Sequence, residues 1–109
     1  KKINQILLYI NENLTEELSL EQLASQFYIS KYYLSRQFKQ FTGLSLYQYI
    51  MKKRLIVSRN LLRDGSSVME ACFQCGFGDY SNFLKAFKRE FGKTPSKYSN
   101  AIHPVIMRT

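Results

Sequence analysis

Apolar residues recur along this chain at helical spacing, and the pattern breaks at short polar segments. Ile3, Ile6, Leu7, Ile10 and Leu14 form one stripe, which predicts an amphipathic first helix. Ser19 then opens "SLEQLASQF", with Gln22 three positions on, the spacing of a capping box. Leu20, Leu23, Ala24 and Phe27 make the buried side of that two-turn helix. Ser30 caps "KYYLSRQFKQF", and Gly43 ends it. Ser45 caps a long helix from Leu46 to about Asp64, stopped by Gly65. At 1.5 Å per residue it is roughly 28 Å long. It is apolar on two sides, with Leu46, Ile50, Val57 and Leu61 on one and Met51, Leu55 and Leu62 on another, so two neighbours are expected. Lys52, Arg59 and Arg63 form a separate basic stripe on it.

The early pattern then returns. Ser67 caps "VMEACFQC", whose Val68, Ala71, Cys72 and Cys75 point inward. "GFG" makes the turn, Asp79 caps "YSNFLKAFKREF", and Gly92 stops it. Thr94-Pro95 opens a last short helix, with proline at its first position. Residues 100–109 show no periodicity and are expected to form a flexible tail. No segment alternates with the period of a strand, so the fold class is all-α.

The return is an internal repeat. At an offset of 49, Ser30 meets Asp79, Leu34 meets Phe83, Arg36 meets Lys85, Phe38 meets Phe87, Lys39 meets Lys88 and Gly43 meets Gly92. Upstream the offset is 48, pairing Ser19 with Ser67 and Phe27 with Cys75, so the second turn is one residue longer. Each unit is a short helix, a tight turn and a longer helix, the outline of a helix-turn-helix. The same outline serves a helical hairpin that only packs a core, so the outer face of the second helix decides.

At 100° per residue, Leu34, Phe38 and Phe41 fall on the inner side of the first unit's longer helix. Tyr32, Arg36, Lys39 and Gln40 lie opposite, with Tyr33 at the edge. In the second unit Phe83, Phe87 and Phe91 are inward, and Ser81, Asn82, Lys85, Lys88 and Arg89 lie opposite. Glu90 is the one acidic residue on either outer face. Ordinary solvated faces mix both signs. Arginine makes bidentate contacts to guanine, Asn and Gln pair with adenine, and lysine neutralises phosphate.

Net charge sharpens this. Sixteen basic and eight acidic residues give +8 over 109 residues. Residues 1–30 carry a net −2 and the remainder a net +10. Such an excess favours a polyanion, either nucleic acid or an anionic membrane surface. The apolar runs are too short to span a bilayer, and no leader pattern opens the chain. Two reading helices on successive major grooves sit about 34 Å apart, a distance the long helix and its packing offsets would suit.

Catalysis finds no machinery here. The lone histidine, His103, falls in the expected tail, no paired carboxylates share a face, and no Gly-rich phosphate loop follows a strand. Cys72 and Cys75 form a C-x-x-C without further ligands for a metal, so they are expected to fill the core as reduced thiols, which suits a cytoplasmic protein. No metal or other cofactor is expected. Two binding classes remain beside sequence-specific DNA recognition. One is a sequence-indifferent architectural nucleic-acid module. The other is a protein-interaction module using Tyr32, Tyr33 and Tyr80.

"SLEQLASQFYISKYYLSRQFKQFTGLSLYQYI" and "ACFQCGFGDYSNFLKAFKREFGKTPSKY" together resemble the AraC/XylS-type DNA-binding domain over about residues 3–99. The stretch from Gly76 through Tyr98 carries the most specific motif. The resemblance implies a seven-helix domain over 1–99, with one helix-turn-helix unit at about 1–44, a linker helix at about 46–64 and a second unit at about 67–99. It implies a bacterial transcription regulator bound to double-stranded DNA and working with RNA polymerase, with activator and repressor both left open. It also implies that this piece is a C-terminal domain, with an effector-binding or dimerisation domain elsewhere in a longer chain. Carried over by position, the DNA-binding residues are Lys31, Tyr32, Ser35, Arg36 and Lys39 in the first unit, and Tyr80, Ser81, Asn82, Lys85 and Lys88 in the second. Leu84 stands where the family commonly has a polar residue, which leaves a thymine methyl contact as readout at that step.

Overall fold

The computed structural model describes residues 2–103. Seven helices follow one another: α1 Lys2–Glu12, α2 Leu20–Gln26, α3 Lys31–Thr42, α4 Leu46–Arg63, α5 Val68–Gln74, α6 Tyr80–Phe91 and α7 Pro95–Ile102. No strand occurs among the described residues, so the all-α reading of the chain is correct.

The helices start where short polar side chains can replace the missing turn of hydrogen bonds. Ser19 accepts from Gln22 N, Ser30 from Tyr33 N, Asp79 from Asn82 N and Thr94 from Lys97 N. Full capping boxes form at Ser45–Gln48 and Ser67–Glu70, where the Gln or Glu side chain also accepts from the cap's own N–H. The Ser67 hydrogen bonds hold the Glu70 carboxyl below its usual range. At the far ends, Gly43 (φ 79°) and Gly92 (φ 82°) close α3 and α6 in the left-handed region, each donating to a carbonyl four residues back.

The chain divides into two compact units, which meet within α4 between Lys53 and Arg54. The expected linker helix is therefore no separate piece. Its first half belongs to one unit and its second half to the other. In the first unit, Ile6, Ile10, Leu23, Ala24, Leu34, Phe38, Leu46 and Ile50 form a buried cluster. Ile3, Leu7, Tyr9, Phe27, Tyr49 and Met51 pack around it. Phe38 is fully buried and meets the Tyr49 ring edge-on at 5.2 Å. A phenylalanine so enclosed contributes about 1.5–3 kcal/mol by removal from water.

In the second unit an aromatic row runs through the core. Phe77, Phe83, Phe87 and Phe91 stand in contact, with centroid separations of 5.3, 5.8 and 4.6 Å, and Tyr98 reaches Phe87 at 5.9 Å. Ala71, Cys72 and Cys75 fill the space beside them and are fully buried. The Cys75 thiol donates to Cys72 O, and burial pushes its pKa up to about 11. Ser58, fully buried on α4, satisfies its hydroxyl on Leu55 O at 2.7 Å.

Two expectations need correction. Phe41 points outward and is 57% exposed. In the last turn of α3 the inward place goes to Thr42, whose hydroxyl donates to Phe38 O and also meets the Leu44 backbone. The tail expected from Asn100 begins too early, because Asn100, Ala101 and Ile102 complete α7. The helix stops at His103, where the Pro104 that follows in sequence disfavours helical backbone. Residues 104–109 of the expected tail lie outside the described residues.

Candidate nucleic-acid interface

Each longer helix offers one face to its own core and the other to solvent. On α3, Leu34 and Phe38 are fully buried, while Lys31, Tyr32, Ser35, Arg36, Lys39 and Gln40 are exposed. On α6, Phe83 and Phe87 are fully buried, while Ser81, Asn82, Lys85, Lys88 and Arg89 are exposed. The outer residues fall at matching intervals. Tyr32, Arg36 and Lys39 occupy i, i+4 and i+7 of one helix, as do Ser81, Lys85 and Lys88 of the other, so each trio lines one side.

Of the ten residues expected to touch DNA, nine are exposed on α3 or α6. Tyr80 is the exception, half-buried at the first position of α6. Leu84 is half-buried too, on the flank of the same helix.

The electrostatics of both helices favour an anion. Neither has an acidic residue in its first turn, and both carry cations in the last turn, where they also complement the helix dipole. The N-terminal end of α3, capped by the neutral Ser30, adds partial positive charge, whereas at α6 the Asp79 cap carboxylate offsets it. Lys31 is the constrained member of the group. Its ammonium lies 4.0 Å from the Glu21 carboxylate of α2 and 5.5 Å from the centroid of the Tyr32 ring. It thus joins α2 and α3 at their outer edge. The carboxylate also offsets part of the charge that Lys31 would offer to a phosphate.

Two features of the first unit were not among the expected site residues. Tyr28, in the turn between α2 and α3, is 91% exposed. Its φ is +58°, the one positive value outside glycine among the described residues. Next to it, the Lys2 ammonium donates to Phe27 O at 2.9 Å. The available signal was the repeat itself, since at the offset of 48 Tyr28 meets Gly76.

Among the described residues no group of His, Cys, Asp and Glu side chains could hold a metal ion, and no helix is long and apolar enough to cross a membrane.

The chain matches the family model described as "Helix-turn-helix domain" over residues 23–101. It is similar to the HTH-type transcriptional activator RhaS of Salmonella schwarzengrund, with 43% identity over 95 residues. That alignment covers 86% of this chain and 34% of RhaS, so the chain spans about a third of the length of the curated relatives it matches. Among solved structures, one similar chain is the DNA-binding domain of AdpA, a global transcriptional factor, in complex with a target DNA. The TM-score is 0.88 at 27% identity, over 93% of this chain and 92% of that one. The C-terminal domain of the two-component response regulator yesN from Fusobacterium nucleatum aligns with a TM-score of 0.82 at 30% identity, over 88% of this chain and 95% of that one.

Proposed function

Because the chain belongs to the AraC-type helix-turn-helix family, we propose that it is the DNA-binding part of a bacterial transcription regulator and recognises double-stranded DNA by sequence. The observation that carries this is the recurrence of one surface. Two helices at equivalent repeat positions bury phenylalanine on one side and expose cations and hydrogen-bonding groups on the other. The inner anchors recur because each unit needs a core. The outer cations recur because both units face the same polyanion.

On this reading α3 and α6 each enter a major groove, and the two grooves follow one another on the duplex. Arg36 is the guanine reader of the first unit, and Asn82 suits adenine in the second. Lys31, Lys39, Lys85 and Lys88 contact phosphate and set the register, with Tyr32, Ser35, Tyr80 and Ser81 adding hydrogen bonds beside them. The work is binding, with no chemical step. The whole regulator is a cytoplasmic activator that contacts RNA polymerase and carries an effector-binding or dimerisation domain beside this one.

Selection of binding sites from random duplex DNA tests the reading. A defined bipartite sequence is expected. Arg36→Ala then weakens binding by about 1–3 kcal/mol and relaxes preference at one position. A pool that enriches no sequence would reject base readout and favour the architectural alternative.

A further inference from the structure

Tyr28 is held in a backbone conformation that a bulky side chain adopts only at a cost, since φ is +58°. The second unit solves the same turn with Gly76 at φ 107°. The two turns open with the same hydrogen bonds, although the second runs one residue longer before its Asp79 cap. Ile29 N donates to Ala24 O, and Phe77 N donates to Cys72 O. Tyr28 N reaches Ser25 O, and Gly76 N reaches Phe73 O. The repeat therefore supplies its own control: this turn closes with glycine and needs no side chain. Packing does not explain the tyrosine either, because it is 91% exposed. Strain of this kind persists where a side chain does something the fold does not require.

We propose that Tyr28 is a DNA-backbone contact of the first unit, its phenol donating to a phosphate beside the groove that α3 enters. The inference rests on the DNA-binding reading above and adds a residue to it. Its surroundings favour an anion. The Lys2 ammonium sits on the carbonyl of the preceding residue, Phe27, at 2.9 Å. Ser30, two residues on, is the N-cap of α3, and Lys31 follows. Tyrosine is a regular donor to phosphate, and a contact of that kind positions the protein without reading bases. Gly76 offers no such group, so the second unit lacks the contact. The first unit is then the more firmly anchored half.

Tyr28→Gly and Tyr28→Phe test this, with thermal melts and binding measured on a selected duplex and on poly(dI-dC). Tyr28→Gly is expected to raise the melting midpoint by about 4 °C as the strain is released. It should also weaken binding to both duplexes roughly three- to tenfold. Tyr28→Phe, which keeps the ring and the backbone strain, should leave the melt unchanged and weaken binding to both by at least about twofold. The base preferences from selection should not move in either variant. Unchanged affinity in both variants overturns the proposal and leaves the side chain to a protein partner. A changed base preference also overturns it, making Tyr28 a base reader. A lower midpoint for Tyr28→Gly would show that the ring supports the fold, which removes the ground for the inference. If the unaltered chain enriches no sequence yet loses affinity in both variants, the present inference stands and sequence-specific reading falls.

Discussion

The Nε2 atom of His103 lies 3.0 Å from the carbonyl oxygen of Arg63 and 3.2 Å from that of Leu62. Both carbonyls belong to the last turn of α4, past its i→i+4 hydrogen bonds, and Leu62 O also accepts from Gly65 N at 3.1 Å. Carbonyl oxygens only accept, so the ring nitrogen facing them carries the proton. A residue 40 positions away in sequence thus caps the end of α4 inside the second unit. His103→Ala is expected to cost about 1 kcal/mol. A melt of the variant that overlays the parent would show that the contact contributes nothing.

The neighbouring phenylalanines of α3 separate burial from periodicity. Phe38 is fully buried and Phe41 is 57% exposed, although both fall on the inner side by spacing. Phe38→Ala and, in the other unit, Phe87→Ala should each destabilise by about 3–5 kcal/mol. Phe41→Ala should stay within about 0.5 kcal/mol, as exposed substitutions do. Denaturant titration of the three variants measures the contrast. A Phe41→Ala loss as large as that of Phe38→Ala would place Phe41 in the core.

Most of the architecture is written in local chemistry, and that explains which parts are readable from the sequence. A serine, threonine or aspartate cap acts on an N–H three residues away, so the helix starts at Ser30, Ser67, Asp79 and Thr94 follow from short windows. The repeat makes the inner phenylalanines and outer cations mutually reinforcing. Phe41 misleads because helical projection takes no account of where the core ends, and Thr42 closes the unit there. His103 looks like tail because its partners are at Leu62 and Arg63. Nothing in a tyrosine itself announces a left-handed backbone; only the alignment of Tyr28 with Gly76 does. The outer faces were readable as surfaces, but the Glu21–Lys31 pairing required the two helices to be brought together.

On the proposed reading of Lys31 as a phosphate contact, that pairing is a brake on binding. Glu21 stands 4.0 Å from the Lys31 ammonium, and the two side chains are 70% and 45% exposed. The pair itself adds little to stability. Glu21→Gln removes a negative charge from the edge of a cationic face. Affinity for DNA of any sequence should rise about two- to fivefold at low salt, with a smaller gain as salt screens the charge. Equal affinity for parent and variant at low salt would place Glu21 away from the DNA path.

The buried thiol makes an alkaline prediction. Desolvation raises Cys75 from 9.0 to about 11, so the folded state favours the neutral thiol. The stabilisation from this group is complete below about pH 9 and is lost as pH rises through about 11. A shift of this size corresponds to about 2–3 kcal/mol. Stability measured from pH 8 to 11 should decline, and Cys75→Ala should decline less steeply. Parallel curves for the two proteins would remove Cys75 as a cause.

Reading by both units is the central claim, and spacing on the DNA tests it most directly. Take a selected site and insert about 5 base pairs, half a helical turn, between the regions protected by the two units. Footprint the chain on the parent and the lengthened site, with Arg36→Ala and Lys85→Ala marking which region belongs to which unit. If α3 and α6 read one duplex together, the insertion turns one region to the opposite side. Protection should then survive at one region only, with affinity falling to that of a single unit. Full-strength binding with both regions still protected would contradict joint reading by the two helices.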